Sequence, residues 1–325
     1  MTSERFLAFA VAVETAAPGR TGLLGRLGRP VEMVTVEPPA APAPTTLFRP
    51  SGSAPRAALL ALHGLAQQGR ADPRLVALGR NLAAAGMLVI VPEVASWKAL
   101  RIQPDDAATV GRLLSSARDL AGPDLPLSAA GFSYTAAPLL VAAARDAGAT
   151  RLDTIYSVGG PYDLRDLISF ALTGVCEESG VRRTMTPDPW VRRIALDLIS
   201  SRLDPSQAGR LEALERETDP VRAIDRVRAL DNALLVELWR LSPASVIPDI
   251  PGRVVVTHTT TDRIVPFTES LRLHRALKSR GPVRHLPIPA REHMVIGGIG
   301  AFRAVWALSA DLIQRRRTRT LTVSR

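Results

Sequence analysis

Residues 127–141 read LSAAGFSYTAAPLLV, and the rest of the chain is organised around them. The apolar start has the length of a buried strand, and the alanine-rich end has the character of a helix. Between them, Gly131-Phe132-Ser133-Tyr134-Thr135 leaves room for one abrupt turn. A serine on such a turn lifts its hydroxyl above the carboxyl edge of a sheet. The N–H of the next residue, Tyr134, then lies at a helix N-terminus and can face a developing oxyanion. The pattern is G-x-S-x-G with Thr135 in place of the last glycine. A threonine there is expected to crowd the approach of helix to strand, while Ala129, Ala130, Ala136 and Ala137 keep the surroundings small. The plain alternative is a serine that caps an ordinary helix.

The chain of 325 residues has room for one large α/β domain with an insertion, or for two small domains. Aromatic residues make up only 4% of it, so leucine, valine, isoleucine and alanine must build the core. Cys176 is the single cysteine, which rules out an intrachain disulfide and a cysteine-based metal cluster. That fits a cytoplasmic location. The formal charge of +10 raises nucleic acid and anionic membrane as partners. Most arginines, however, are interleaved with acids on helical faces, as over residues 182–240. The one basic run, residues 315–319, reads as part of a solvated tail. With no nucleic-acid motif and little aromatic interleaving, no nucleic-acid partner is expected. Residues 6–13, FLAFAVAV, are too short to span a membrane. Glu4, Arg5 and Glu14 at their borders make a poor signal peptide, so they are expected to form a helix packed on the domain.

Outward from the turn, strands are expected at residues 31–36, 45–48, 57–62, 87–91, 152–158, 253–257 and 283–288. The run at 57–62 is apolar throughout, as for a strand buried on both faces. Asp-Pro pairs at residues 72, 188, 204 and 219 read as helix starts. Aspartate accepts from a free N–H at the cap, and proline at the first helical position has none to satisfy. Helices are expected from there to Gly86, over 104–120, from the turn to Ala147, over 267–278 and over 300–314. From 163 to 248 the alternation stops. Helical stripes such as Trp190, Val191, Ile194 and Leu198 appear there instead, with no strand pattern. The fold expected is α/β: a mostly parallel, eight-stranded, doubly wound sheet with a helical cap insertion. Its parts are an N-terminal helical segment (1–30), the core (31–162 and 249–315), the cap (163–248) and a basic tail (316–325).

A serine hydroxyl needs a base, and the base needs an orienting acid. Of the five histidines, His63 and His258 end strands, His274 lies on an amphipathic helix as a surface group, and His285 lies inside a strand with a structural role. His293 follows the last strand in the loop Pro289-Ala290-Arg291-Glu292-His293-Met294, where a base can reach Ser133. Asp262 lies just beyond another strand, in a chain order Ser, Asp, His. Asp163, after the strand ending at Val158, is the rival acid.

The order of a His-Gly loop, a G-x-S-x turn, a helical insertion, Asp-x-x-Val-Pro and a late histidine resembles the α/β-hydrolase superfamily over residues 31–315. Residues 257–266, THTTTDRIVP, are similar to the superfamily's H-G-x-x-D-x-x-V-P segment, with Thr259 replacing a glycine. Residues 64–92 look most like the bacterial esterase-like and dienelactone-hydrolase-like branches. The resemblance implies Ser133 as nucleophile, His293 as base, Asp262 as orienting acid, and an oxyanion hole from the N–H groups of Tyr134 and Leu65, with Ala66 as the alternative. It implies a serine hydrolase of small carboxylic esters that works through an acyl-enzyme. An amidase, a thioesterase, an acyltransferase or a non-catalytic binding protein on the same fold are the rivals. No cofactor or metal is expected, since no ligand spacing such as H-E-x-x-H occurs.

Overall fold

A computed structural model describes residues 3–16, 23–39, 41, 43–146, 150–289 and 298–314. The chain starts with α1 (Ser3–Ala16), α2 (Leu23–Leu27), β1 (Val31–Val36) and β2 (Thr45–Pro50). Next come β3 (Ala58–Leu62), α3 (Pro73–Ala84), β4 (Leu88–Pro92), α4 (Ala95–Lys98), α5 (Asp106–Ala121), β5 (Leu127–Phe132), α6 (Ala136–Arg145) and β6 (Thr154–Val158). Before the alternation resumes there are α7 (Leu164–Thr173), β7 (Val175–Glu178), β8 (Val181–Thr184), α8 (Pro189–Ser200), α9 (Ala208–Glu215), α10 (Pro220–Leu230) and α11 (Asn232–Arg240). The last elements are β9 (Arg253–Thr259), α12 (Phe267–Lys278), β10 (Val283–Ile288) and α13 (Gly298–Gln314).

Eight strands form one sheet in the order β1-β2-β4-β3-β5-β6-β9-β10. β2 runs antiparallel to both β1 and β4, and every other neighbouring pair is parallel. Alternate residues of the central strands point to opposite faces. Leu60, Leu62, Ala129 and Ile155 therefore join α5, α6, α7 and α12 in one core. Leu59, Ala61, Ala130 and Tyr156 join α1, α3 and α13 in the other. The apolar α1 packs on α13 through Phe9, which meets Phe302 and Trp306 edge to face at 5.5 and 5.9 Å.

Three of the four Asp-Pro pairs start α-helices as expected, with Asp72, Asp188 and Asp219 accepting from the N–H of Arg74, Trp190 and Arg222 at 2.8–2.9 Å. Such a cap stabilises by roughly 1 kcal/mol. Asp204-Pro205 instead starts a single 3-10 turn that precedes α9. One expectation is corrected: the stretch between β6 and β9 is not wholly helical. It holds the hairpin β7–β8, which turns at Ser179 and Gly180 with φ of +54° and +78°. Positive φ at both central residues suits the right-handed twist of paired strands. No helix among the described residues is long and apolar enough to cross a membrane. The basic run at 315–319 and the tail at 316–325 lie outside the described residues.

Candidate active site

The turn after β5 is held by close packing on one side and by hydrogen bonds on the other. Ser133 has φ of +57°, a left-handed conformation that costs a residue with a side chain about 1–2 kcal/mol. A Cβ on Gly131 would lie 2.5 Å from Cα and 2.7 Å from N of Ala136, so only glycine allows α6 to start where it does. Gly160, after β6, approaches as closely: its Cβ would meet the Ala136 methyl at 2.4 Å. Thr135 does not have the crowding effect expected of it. It is fully buried, its Oγ1 accepts from Phe132 N–H at 3.1 Å, and its hydroxyl lies within donating distance of Leu62 O (3.2 Å) and Phe132 O (3.0 Å). The side chain thus ties the turn to the end of β3.

Tyr134 directs its ring away from the turn. Its hydroxyl donates to Asp106 Oδ2 at 2.6 Å, and burial holds the phenol well above its ordinary pKa, so it stays a neutral donor. The backbone of Tyr134 belongs to the first turn of a helical run, where N–H groups have no helical acceptor. Leu65 and Ala66 line a cavity together with Ser133. His63 shapes that loop. Its Nε2 receives the Val94 N–H at 3.1 Å, so the ring proton is on Nδ1, which donates to Gly64 O at 2.8 Å. Burial lowers the His63 pKa and keeps the ring neutral in this bridging role.

Asp262 follows β9 and is buried. Its Oδ1 accepts from the N–H groups of Ile264 (2.8 Å) and Val265 (3.0 Å). Its Oδ2 lies 3.2 Å from Nε2 of His258, which also donates to Val265 O at 2.9 Å. That pairing was not anticipated; the four-residue spacing of 258 and 262 across a turn was the available signal. Asp163, the rival acid, is otherwise engaged. It caps α7 and receives Arg165 through N at 2.9 Å, Nε at 3.1 Å and Nη2 at 2.6 Å. His293 lies outside the described residues. His285 and His274 stack on each other at 5.0 Å, so His274 is a partner in a ring stack rather than a plain surface group. Burial, then the charges of His274 and His258, lower His285 to about 4.

The cavity at Ser133 has a volume of about 570 Å³, in the range of small-molecule sites. Trp190 of α8 and Ile264, beyond Asp262, also line it. Among the described residues no group of three or more histidine, cysteine, aspartate or glutamate side chains could hold a metal ion.

No protein-family model and no curated protein matches the chain. Solved structures do. The chain is similar to acylaminoacyl peptidase of Pyrococcus horikoshii at 15% identity, with 91% of this chain and 43% of that one covered and a TM-score of 0.59. It thus spans less than half the length of that peptidase. A lipase in an open form is 16% identical over 89% of this chain and 100% of its own, with a TM-score of 0.53. A candidate dienelactone hydrolase from Klebsiella pneumoniae subsp. pneumoniae is 12% identical over 88% and 100%, also with a TM-score of 0.53. With its strand order, its left-handed serine after β5 and these likenesses, the chain has the α/β-hydrolase fold.

Proposed function

We propose that the chain is a serine hydrolase of small carboxylic esters. The observation that carries this reading is Ser133, held left-handed between β5 and α6 on the rim of a 570 Å³ cavity, at the sheet edge that also bears Asp262. Ser133 Oγ attacks the acyl carbonyl while His293 takes its proton. The carbonyl oxygen gathers charge opposite the N–H groups of Tyr134 and Leu65. The tetrahedral adduct then expels the alcohol, which leaves with the proton from His293, and an acyl-serine remains. Water attacks that ester with His293 again as base, and the acid and free serine result. Asp262 holds the imidazole tautomer. Its Oδ1 is fixed by two N–H groups.

Residues 31–162 with 249–315 form the catalytic core in this reading, with residues 1–30 packed against it and 316–325 as a tail. Residues 163–248 act as the cap. Two contacts support that role: Trp190 lines the cavity, and the cap's Asp188 N–H donates to Arg263 O at 2.8 Å, beside Asp262. The protein acts in the cytoplasm on small molecules, without nucleic acid or membrane insertion.

The reading is tested with para-nitrophenyl esters beside matched anilides. Wild-type turnover of esters, lost in Ser133→Ala, supports it. Turnover of anilides in preference to esters moves the assignment to amide bonds, the class that the name of the Pyrococcus protein suggests. Turnover of neither by folded protein overturns it.

A further inference from the structure

The cavity at Ser133 does not end at the edge of the sheet. It descends between the sheet and the helices α3 and α13, and we propose that this extension is a tunnel for the unbranched alkyl chain of the acyl group. The proposal rests on the hydrolase reading above and adds the substrate class. Three observations carry it.

The first is depth. Ala130 lines the cavity three residues before Ser133, and Leu59 lines it further down the neighbouring strand β3. On α13 the lining runs from Val305 to Leu312, about 10 Å at 1.5 Å per residue. An extended chain of about eight or nine carbons covers that distance, since bonds of ~1.5 Å at tetrahedral angles advance the chain ~1.25 Å each.

The second is the origin of the space. Leu75 and Leu78 of α3, and Val305, Leu308 and Leu312 of α13, recur at helical spacing and turn apolar stripes to the same strip of sheet. Small residues, Ala77, Ala130 and Ser309, stand between those stripes. These small side chains leave a gap between the two walls.

The third is the distribution of polarity. Asp72 and Arg74 line the cavity at the start of α3, near the rim, and pair with each other at 2.7–3.0 Å. Polar residues His63, Ser133, Thr257, His258 and Thr259 line it at the strand ends; away from that edge the polar lining is Ser309 and Tyr156, and the Tyr156 hydroxyl donates to Asp311 Oδ2 at 2.9 Å. Asp311 is in turn held by Arg253 through two bonds of 2.7 Å. A chain without a polar end suits such walls, because a charged terminus would lose its water without gaining a partner. The acyl half is the better occupant than the alcohol half. An alcohol released at the bottom would have to leave past the acyl-serine at the rim, whereas the acyl chain stays attached until water frees it.

The test uses the full-length protein. With para-nitrophenyl esters, kcat/KM rises at least tenfold from acetyl to octanoyl and then falls, against a ceiling of roughly fourfold per buried methylene. Alkyl acetates of rising alcohol length show no such rise. Ser309→Leu and Ala130→Leu each lower the octanoyl-to-acetyl ratio at least tenfold. Should either variant fold poorly, wild-type calorimetry with octanoate and with acetate gives a second readout: octanoate binds at least tenfold more tightly. A flat acyl series with active enzyme overturns the tunnel and leaves the hydrolase reading standing. A rise in the alkyl acetate series instead overturns the acyl assignment. No turnover of any ester overturns the hydrolase reading, and with it the acyl tunnel.

Discussion

Two corners at the carboxyl edge of the sheet, the turn after β5 and the turn after β9, are built by opposite means. The first is strained and packed: Ser133 is left-handed at φ +57°, and Gly131 and Gly160 give α6 its clearance. The second is relaxed and hydrogen-bonded: Asp262 folds its own turn by accepting two N–H groups, and no described residue from 259 to 266 has positive φ. The strained corner aims a hydroxyl whose position depends on neighbours that cannot give way. The bonded corner fixes a carboxylate through local contacts that travel with it. Damage to the first corner is therefore expected to be all or none in function, and damage to the second graded.

The largest expected effect is at the strained corner itself. Ser133→Ala lowers ester kcat/KM by about 10⁴-fold or more, while the unfolding temperature stays within a few degrees of wild type. Next comes the choice of base. His293→Ala costs nearly as much, and His258→Ala costs about tenfold or less, both read as kcat/KM. The reverse order would make His258, already 3.2 Å from Asp262, the base and would join the two corners directly.

At the bonded corner, Asp262→Asn lowers kcat about 10²- to 10⁴-fold, because an amide can hold the wrong imidazole tautomer. Asp163→Asn separates acid from cap. It keeps the α7 cap, since an amide oxygen accepts the Arg165 N–H equally well, loses only the charge of the Arg165 pair, costs about 0–1 kcal/mol in urea unfolding, and leaves kcat near wild type.

Thr135→Ala sharpens the comparison at smaller scale. It removes the hydroxyl that satisfies Phe132 N–H and reaches Leu62 O, and costs about 1–3 kcal/mol in stability, while Thr135→Ser keeps most of it.

An effect read only as a pH slope lies behind the first corner, at Glu269 of α12. Its carboxylate accepts from the N–H groups of Tyr162 and Asp163 at 2.8 and 2.9 Å and pairs with Arg272 at 2.9 Å. Burial raises this carboxyl from 4.5 to about 7. Between those values the folded protein keeps a proton that the unfolded chain has lost, so this group makes stability fall as pH rises through the window. Thermal melts from pH 5 to 7.5 are expected to show that slope in wild type and a flatter one in Glu269→Gln.

Much of this was legible in the chain because burial leaves a periodic signature. β1 and β10 occupy the expected residues 31–36 and 283–288, and β3 matches the apolar run that ends at Leu62. The corners that carry Ser133 and Asp262 were legible because each sits beside a glycine, proline or strand end. The hairpin at 175–184 was missed. Its strands are four residues long, and none of their side chains is buried, so no alternation reports them. The Ser179-Gly180 pair between two valine-led runs was the only clue. The role of Thr135 was also hidden, since a motif records that glycine is usual there but not that Leu62 O and Phe132 N–H are close enough to use a hydroxyl. The His258–Asp262 contact and the descent of the cavity between α3 and α13 depend on distances across the fold, which no spacing along the chain encodes.

The central claim is that Ser133 is an activated nucleophile, and covalent labelling tests it most directly. Wild-type protein treated with a fluorophosphonate, then weighed intact and mapped by peptide mass, is expected to carry one adduct on Ser133 and none in Ser133→Ala. Folded protein that takes up no adduct, or carries it on another residue, would contradict the account.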